Sequence, residues 1–221
     1  MSPELISLIA DATLDTIYMV LVSAVVGTAV GLPLGIFLAT SGRGELFQSV
    51  ALNRTIGLAV NALRSTPFII LVVAIIPLTR LLAGTSIGTT AAIVPMTISA
   101  IPFIARITET SIREVDAGLT EASLAMGATP LQIIFKVLVP EALSGIVLGV
   151  TLSVVSLISF SAMVGAVGGG GLGDVGIRYG YQRFMPEVMG VVVVVLILLV
   201  QAVQSLGDTL AKRVNKRRLQ R

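Results

Sequence analysis

The sequence predicts an all-α integral membrane protein that crosses the bilayer five times. Of its 221 residues, 55% are hydrophobic and 12% are charged, whereas ordinary soluble domains carry roughly 25% charged residues. Its apolar runs reach the length of about 20 residues that a helix needs to span a bilayer. The chain contains no Cys and no His, which excludes disulfides, thiolate or imidazole catalysis and the usual zinc ligands.

Five apolar runs qualify as membrane spans, because a helix satisfies its own backbone hydrogen bonds in lipid. Their predicted bounds are residues 16–40, 58–80, 87–108, 141–164 and 187–208. We assign them to a single domain, residues 13–207, followed by a basic tail at residues 208–221. No Asp, Glu or Lys lies in the middle of a run, so the spans lack the ionisable groups that mark proton relays and ion-coupled carriers.

The first three spans carry glycines and prolines that have predictable effects on helices. Gly27, Gly31 and Gly35 recur every four residues in the first span, and this spacing lets two helices pack closely. A proline removes a backbone donor and bends or ends a helix. We therefore expect helix bends or ends at Pro33, Pro67, Pro77, Pro95 and Pro102.

The fourth span presents a face of small and hydroxyl side chains. The face comprises Gly149, Ser153, Ser156, Phe160 and Met163, with Ser159 beside it. One interpretation is that its serines bond to carbonyls four residues earlier and contact neighbouring helices. The other interpretation is that this face lines a translocation path, with Ser156, Ser159 and Met163 on the path or at its gate. The glycine-rich sequence from Gly165 predicts a loop before the fifth span.

The basic residues assign the two sides of the membrane. Five spans place the chain ends on opposite sides, and all 15 Lys and Arg residues except Arg80, Arg178 and Arg183 fall on the side of the C-terminus. Loops rich in Lys and Arg stay in the cytoplasm. We therefore predict that the N-terminus lies outside and the C-terminus in the cytoplasm.

The polar connection between the third and fourth spans, residues 114–140, then lies in the cytoplasm. Just before it, Arg106, Glu109 and Arg113 share a helical face that we interpret as solvated, with pairs worth about 0.2–0.5 kcal/mol each. A short helix follows at residues 118–126. Asp116 is its expected N-cap, and Gly127 ends it because glycine readily adopts the left-handed conformation.

A second cytoplasmic helix is predicted directly after that glycine. Thr129 and Gln132 form a T-x-x-Q capping box, with Pro130 at the first helical position. Apolar residues at positions 131, 134, 135 and 138 have the spacing of one buried helix face. Pro140 is expected to end this helix and to open the fourth span. By periodicity alone, a helix lying on the bilayer surface fits equally well.

Two nucleotide motifs are absent or out of context. The sequence GGGGLGDVG at residues 168–176 contains G-x-G-x-x-G twice, but a dinucleotide site requires this pattern between a strand and a helix. No P-loop sequence occurs, so we expect no ATP site in this chain. We also expect no cofactor, no metal, because Cys and His are absent, and no nucleic-acid site, because the net charge is only +3. The aromatic and basic residues that follow are interpreted as membrane-interface anchors, or alternatively as a contact for an external partner: Arg178, Tyr179, Tyr181, Arg183 and Phe184.

The cytoplasmic loop resembles the EAA loop of ABC importer permeases. The family pattern is E-A-A-x-x-x-G followed by nine residues and I-x-L-P. Its matches here are Glu121, Ala122, Gly127 and Pro140. The departures are conservative and fall at Ser123, Val137 and Val139.

Four further stretches resemble the methionine-importer group of type I permeases, and with the loop they cover most of residues 13–207. They are RSTPF from residue 64, PFIARITE from 102, SAMVGAVGGGGLGD from 161 and IRYGYQRF from 177. The resemblance implies a bacterial inner-membrane permease that imports methionine, in one or both enantiomers. It also implies that the chain is not itself an enzyme.

The resemblance further implies a set of partners. The EAA loop is expected to form a coupling helix that docks on a separate ATP-binding cassette ATPase through Glu121, Ala122, Ser123 and Gly127. Two copies of the chain are expected to form a two-fold homodimer around the substrate path. An extracytoplasmic substrate-binding protein would meet the outer loop after Met163, and membrane lipid would surround the dimer.

Other functions fit the residues less well. A permease of the same class for another small solute is the main alternative, since no side chain by itself indicates methionine. A stand-alone secondary carrier or channel would need buried ionisable groups or inverted repeats. An intramembrane hydrolase would need a His, a mid-span Lys or paired Asp residues to activate a serine.

Overall fold

Helices account for every regular element in residues 3–219, the range that the computed structural model describes, with side chains to residue 215. The predicted all-α class is therefore confirmed. The α-helices are α1 (Pro3–Thr40), α2 (Val50–Ser65), α3 (Phe68–Ala74), α4 (Ile76–Ala83), α5 (Thr89–Arg113), α6 (Ala117–Ala125), α7 (Pro130–Ile133), α8 (Val139–Gly165), α9 (Gly171–Val175) and α10 (Pro186–Leu219). Two π-helical segments add to them: Ile134–Leu138 joins α7 to α8, and Gly176–Gln182 follows α9.

Four helices of this range are long and apolar enough to cross a membrane. They are Pro3–Thr40, Thr89–Arg113, Pro130–Gly165 and Pro186–Asn215. A fifth crossing results if the bent pair α2 and α3 is counted as one span. With this pair included, the candidate crossings equal the five predicted spans in number, and several helices are longer than the spans assigned to them.

The second predicted span, residues 58–80, is not one helix. The axes of α2 and α3 meet at 105°, and a second break at Ile75 separates α3 from α4. Pro67 causes the first break, because the residue before a proline avoids the helical region and Thr66 is extended, with φ −80° and ψ 123°.

Three other prolines do not end their helices. α1 continues through Pro33, and α5 continues through Pro95 and Pro102. The chain also stays helical across Pro140 from Pro130 to Gly165, because the wide π-helical turn before Pro140 leaves room for its ring. The predicted tail, residues 208–221, begins as part of α10, which reaches Leu219; residues 220–221 lie outside the described range.

The membrane helices pack through glycines, as predicted for the first span. A Cβ atom on Gly27 would lie 2.7 Å from the Cβ of Ala100, and one on Gly31 would lie 2.8 Å from the carbonyl oxygen of Ile101. α1 and α5 therefore approach more closely than side chains on this face permit. Around them, Met19, Met96 and Leu157 form part of the buried apolar core.

Candidate functional site

Helix α6, predicted to be cytoplasmic, has a defined bond at each end. The Asp116 carboxylate accepts a hydrogen bond from the Gly118 amide at 2.7 Å, which satisfies one of the free donors of the first turn. At the other end Gly127 has φ +80°, its N–H donates to the Leu124 carbonyl at 2.9 Å, and the Ala128 N–H donates to the Ser123 carbonyl at 3.0 Å. These two bonds form a Schellman motif, so the predicted glycine stop is confirmed.

The second cap is also as predicted. The Gln132 amide donates to the Thr129 hydroxyl at 3.4 Å, and the Thr129 amide donates to the Gln132 side-chain oxygen at 2.9 Å. This reciprocal pair is a capping box, with Pro130 at the start of the helix. The turn between α6 and α7 is therefore fixed by hydrogen bonds on both sides of Gly127.

The predicted docking residues of α6 do not all face outward. Glu121, Ala122 and Gly127 are exposed, whereas Ser123 is 7% exposed and its hydroxyl donates to the Leu119 carbonyl at 2.6 Å. Sequence reasoning also missed the exposed apolar side chains beside them: Leu119, Leu124 and Met126, the last 80% exposed. The signal that could have identified them is the presence of apolar side chains on a helix that was expected to be solvated.

The buried face of the following helix differs from the predicted one. Ile133, Ile134 and Leu138 are buried, while Leu131 and Phe135 are exposed. The prediction assumed 3.6 residues per turn, but the π-helical segment Ile134–Leu138 has wider turns, which rotates the side chains relative to that pattern. The face that remains exposed therefore carries Leu131 and Phe135 next to α6.

The predicted solvated face at the end of α5 is also wrong, because Glu109 is 4% exposed. Both of its carboxylate oxygens are paired, with Arg106 at 2.7 Å and with Arg113 at 2.9 Å. Nearby, a cavity of about 500 Å³ separates the ends of α1 and α5 from α6. Its polar lining includes Glu45, Arg113 and Glu121.

The residues predicted for the path occupy an accessible side of α8. Ser159 and Met163 are exposed and Ser156 is partly exposed. Ser159 and Met163 line an open groove of about 610 Å³ with residues of α10, including Leu196 and Gln201. Ser156 is outside that groove and bonds to the Leu152 carbonyl at 2.9 Å, as the packing interpretation expected.

The rest of the predicted small-residue face is occupied by contacts within the chain. Gly149 packs against Ile107, and the buried Ser153 donates to the Gly149 carbonyl at 3.0 Å. Phe160 stacks on Phe68 at the start of α3, with ring centroids 4.2 Å apart. The structure therefore brings Ser159 and Met163 together and separates them from the glycine and Ser153 part of the face.

The glycine-rich sequence forms a compact turn at the opposite end of the bundle. Only residues 166–170 form the predicted loop, because a helix resumes at Gly171. Gly165 and Gly173 lie too close to neighbouring backbone for a side chain, and the Thr16 hydroxyl accepts a hydrogen bond from the Leu172 amide at 2.9 Å. The glycines therefore serve close packing between helices.

The aromatic and basic cluster follows this turn. Arg178 pairs with Asp174 at 2.7 Å, and the Arg183 guanidinium lies 4.5 Å from the centre of the Tyr179 ring. Tyr181 and Phe184 project outward, and Phe184 is 85% exposed. Exposed aromatic rings at the end of a membrane helix suit either the bilayer interface or a partner surface.

Comparison with known proteins gives one consistent result. Residues 31–220 match the family model described as binding-protein-dependent transport system inner membrane component. The probable D-methionine transport system permease protein MetI of Vibrio cholerae serotype O1 is 56% identical over 210 residues, covering 95% of this chain and 93% of the relative. The D-methionine transport system permease protein MetI of Escherichia coli K12 is 47% identical over 165 residues, covering 75% and 76%.

Solved structures agree with these relatives. A chain of the MetNI methionine ABC transporter, in an inward-facing conformation, superposes with a TM-score of 0.95 at 47% identity, over 97% of this chain and 99% of that one. An amino acid ABC transporter at 18% identity has a TM-score of 0.77, which shows the same fold. The chain belongs to the family of inner-membrane components of binding-protein-dependent transport systems.

Proposed function

We propose that this chain is the permease subunit of an ATP-driven importer that moves methionine, as the D-enantiomer and the L-enantiomer, across the bacterial inner membrane. The observation that carries the proposal is the superposition of nearly the whole chain on a chain of a methionine ABC transporter. This chain matches relatives named as probable D-methionine permeases, and the match covers most of their length.

The orientation follows from the helix ends that lie together. The Arg113 guanidinium at the end of α5 reaches the Leu38 carbonyl near the end of α1 at 3.5 Å, and α6 follows Arg113 within a few residues. These ends belong to the side that holds most of the 15 Lys and Arg residues. The positive-inside rule therefore supports a cytoplasmic α6, a cytoplasmic C-terminus and an outer N-terminus.

The ATPase partner is assigned to α6 and its glycine stop. Glu121 and Ala122 are exposed there, and Leu119, Leu124 and Met126 add an apolar surface around them. An exposed apolar patch rimmed by polar groups is typical of a protein interaction site. Gly127 contributes by fixing the turn, and Ser123 contributes by stabilising α6 from within.

The substrate path is assigned to a homodimer. One chain of five spans has few helices with which to surround a path. Two copies related by a two-fold axis would surround it, and closed two-fold dimers are the commonest oligomers. Ser156, Ser159 and Met163 lie on an accessible side of α8, which supports their position on the path or at the gate. Tyr181 and Phe184 mark the outer surface available to an extracytoplasmic binding protein, and the remaining apolar helix faces meet lipid.

A complete complex in proteoliposomes tests this function. We expect ATP-dependent uptake of labelled methionine that unlabelled L- and D-methionine compete for, and no uptake when the ATPase is left out. ATP-independent uptake by this chain alone would support a secondary carrier or channel. ATP-dependent uptake that neither enantiomer competes for would support another small solute.

Cysteine labelling tests the path, because the chain contains no Cys of its own. Single cysteines at positions 156, 159 and 163 are expected to react with a water-soluble maleimide in the dimer. A cysteine at the buried position 153 is the matched control and should stay unreactive. Protection at all three positions in every nucleotide state would leave only the packing interpretation.

A further inference from the structure

We propose that Glu109 is a positioning residue that transmits movement of α6 into the membrane helices. The proposal rests on the ATP-driven transport proposed above and adds a residue outside the EAA loop and outside the path. Glu109 acts with Arg106 and Arg113, and we call these three residues the charged joint.

The charged joint is a buried carboxylate shared by two cations. The Arg106 and Arg113 side chains take one carboxylate oxygen each, at 2.7 Å and 2.9 Å, and Glu109 is 4% exposed. The three residues lie on successive turns of one helix, at spacings of three and four residues. The Arg106 and Arg113 side chains are 38% and 52% exposed, whereas the Glu109 side chain is 5% exposed. Separation from the arginines would leave the buried carboxylate uncompensated, so the group is expected to stay intact while α5 moves.

One member of the charged joint also contacts α1, and α2 contacts the same group of α1. Arg113 donates to the Leu38 carbonyl at 3.5 Å, and the Asn53 side-chain amide donates to the same carbonyl at 2.8 Å and to the Ser41 hydroxyl at 3.0 Å. Leu38 lies in the last turn of α1, where carbonyl groups have no partner within the helix. The end of α1, the start of α2 and the end of α5 therefore meet at one carbonyl group.

The position of the charged joint connects it to the proposed ATPase contact. Only residues 114–116 separate Arg113 from α6, and Arg113 and Glu121 line the same cavity of about 500 Å³. A displacement of α6 is thus applied directly to the helix that carries Glu109. Because Arg113 also binds the end of α1, the displacement reaches three membrane helices together rather than α5 alone.

Coupling measurements in proteoliposomes test this role. The readout is the number of ATP molecules hydrolysed per methionine taken up, which a residue needed only for folding would leave unchanged in the assembled fraction. For Glu109→Gln we expect this ratio to rise about fivefold to tenfold. For Asn53→Ala, which keeps all charges, we expect a rise of about twofold.

Asp174→Asn is the matched control. It also breaks an Arg–carboxylate pair at 2.7 Å, but that pair joins residues four apart at the other end of the bundle and connects no two membrane helices among the described residues. Its ratio should equal that of the parent. A parental ratio for Glu109→Gln would overturn the proposal, and if this variant does not assemble, a parental ratio for Asn53→Ala would do so.

Distance measurements by electron paramagnetic resonance separate this proposal from the proposed function. Spin labels at cysteines introduced at Thr55 of α2 and Ala117 of α6, in dimers diluted with unlabelled chains, should give one narrow distribution in the parent. Glu109→Gln should broaden it. A distribution for Glu109→Gln as narrow as the parent's would overturn the role of the charged joint, whatever the uptake measurements show. Absence of ATP-driven uptake by the unmodified complex would instead refute the transport function.

Discussion

The two ends of the helix bundle are held together by different kinds of contact. At the end near α6, directional bonds between side chains and backbone connect the helices, as in the bonds of Arg113 and Asn53 to the Leu38 carbonyl. At the end near α9, backbone packs directly on backbone, and Gly165 and Gly173 leave no space for a Cβ atom. The first end depends on the chemical identity of its side chains, and the second depends on their absence.

This difference indicates how each end responds to change. A contact between backbones tolerates no added volume and offers no alternative geometry, so it fixes α9 and the turn at residues 166–170 against α8. Hydrogen bonds and ion pairs can persist while several helices move as one body. We therefore expect volume changes to damage the end near α9 most, and changes of charge or capping to act at the end near α6.

The largest expected effect is at Gly173. A Cβ atom there would lie 2.5 Å from the Ala162 carbonyl oxygen and 2.6 Å from the Ala162 Cα, and neither backbone atom can move aside easily. Gly173→Ala should destabilise the chain by about 2–3 kcal/mol through overpacking, measured as a lower thermal midpoint in detergent. Gly190→Ala is the control, since Gly190 has nothing within 4 Å of its Cβ position. Equal thermal midpoints for the two variants would contradict the steric explanation of the packing near α9.

A smaller effect is expected at Gly127, where space is free but the backbone is not. Its φ of +80° disfavours a residue with a Cβ atom, although nothing lies within 4 Å of that position. Gly127→Val should cost about 1–2 kcal/mol locally. We expect loss of ATPase co-purification or coupling with little change in the thermal midpoint. A fall in the midpoint as large as that of Gly173→Ala would show that this turn also supports the membrane helices.

Removing the capping box should have a milder effect at the same turn. Gln132→Ala deletes the acceptor of the Thr129 amide, at a cost of about 0.5–1 kcal/mol. We expect faster amide hydrogen exchange at residues 128–133 and a partial loss of coupling. Gln132→Glu, which keeps the acceptor, is the control and should preserve slow exchange.

The smallest effect is expected for the exposed ion pair at the end near α9. The Arg178 side chain is 59% exposed, so solvent screening limits its pair with Asp174 to at most about 0.5 kcal/mol. Arg178→Gln should leave the thermal midpoint and the coupling ratio close to those of the parent. A change as large as that of Glu109→Gln would remove the distinction between the two charged groups.

Much of the segment from Asp116 to Gln132 could be predicted because its sequence signals are local. Asp116, Gly127, Thr129 and Gln132 act on backbone groups within a few residues of themselves, so spacing alone identifies the caps. The path face was predicted less well. The spacing of Ser153, Ser156 and Phe160 is visible in the sequence, but whether a neighbouring helix covers each residue is not.

The helix bounds show the same limit. Of the prolines at positions 33, 67, 77, 95 and 102, only Pro67 and Pro77 lie at a helix break, while α1 and α5 continue through the other three. A proline costs a hydrogen bond at every position, and the packing of the surrounding helices decides whether the chain bends there or continues.

By itself the sequence determined the helical class, the apolar helices long enough to cross a membrane and the caps of α6 and α7, because these depend on hydrophobic length and on contacts within a few residues. The tertiary structure alone decided that Glu109 is buried and paired with two arginines, and that Arg113 shares the Leu38 carbonyl of α1 with Asn53 of α2. Burial is a property of neighbours distant in sequence, and the charge pattern of Arg106, Glu109 and Arg113 is the same on a solvated helix and at a buried joint.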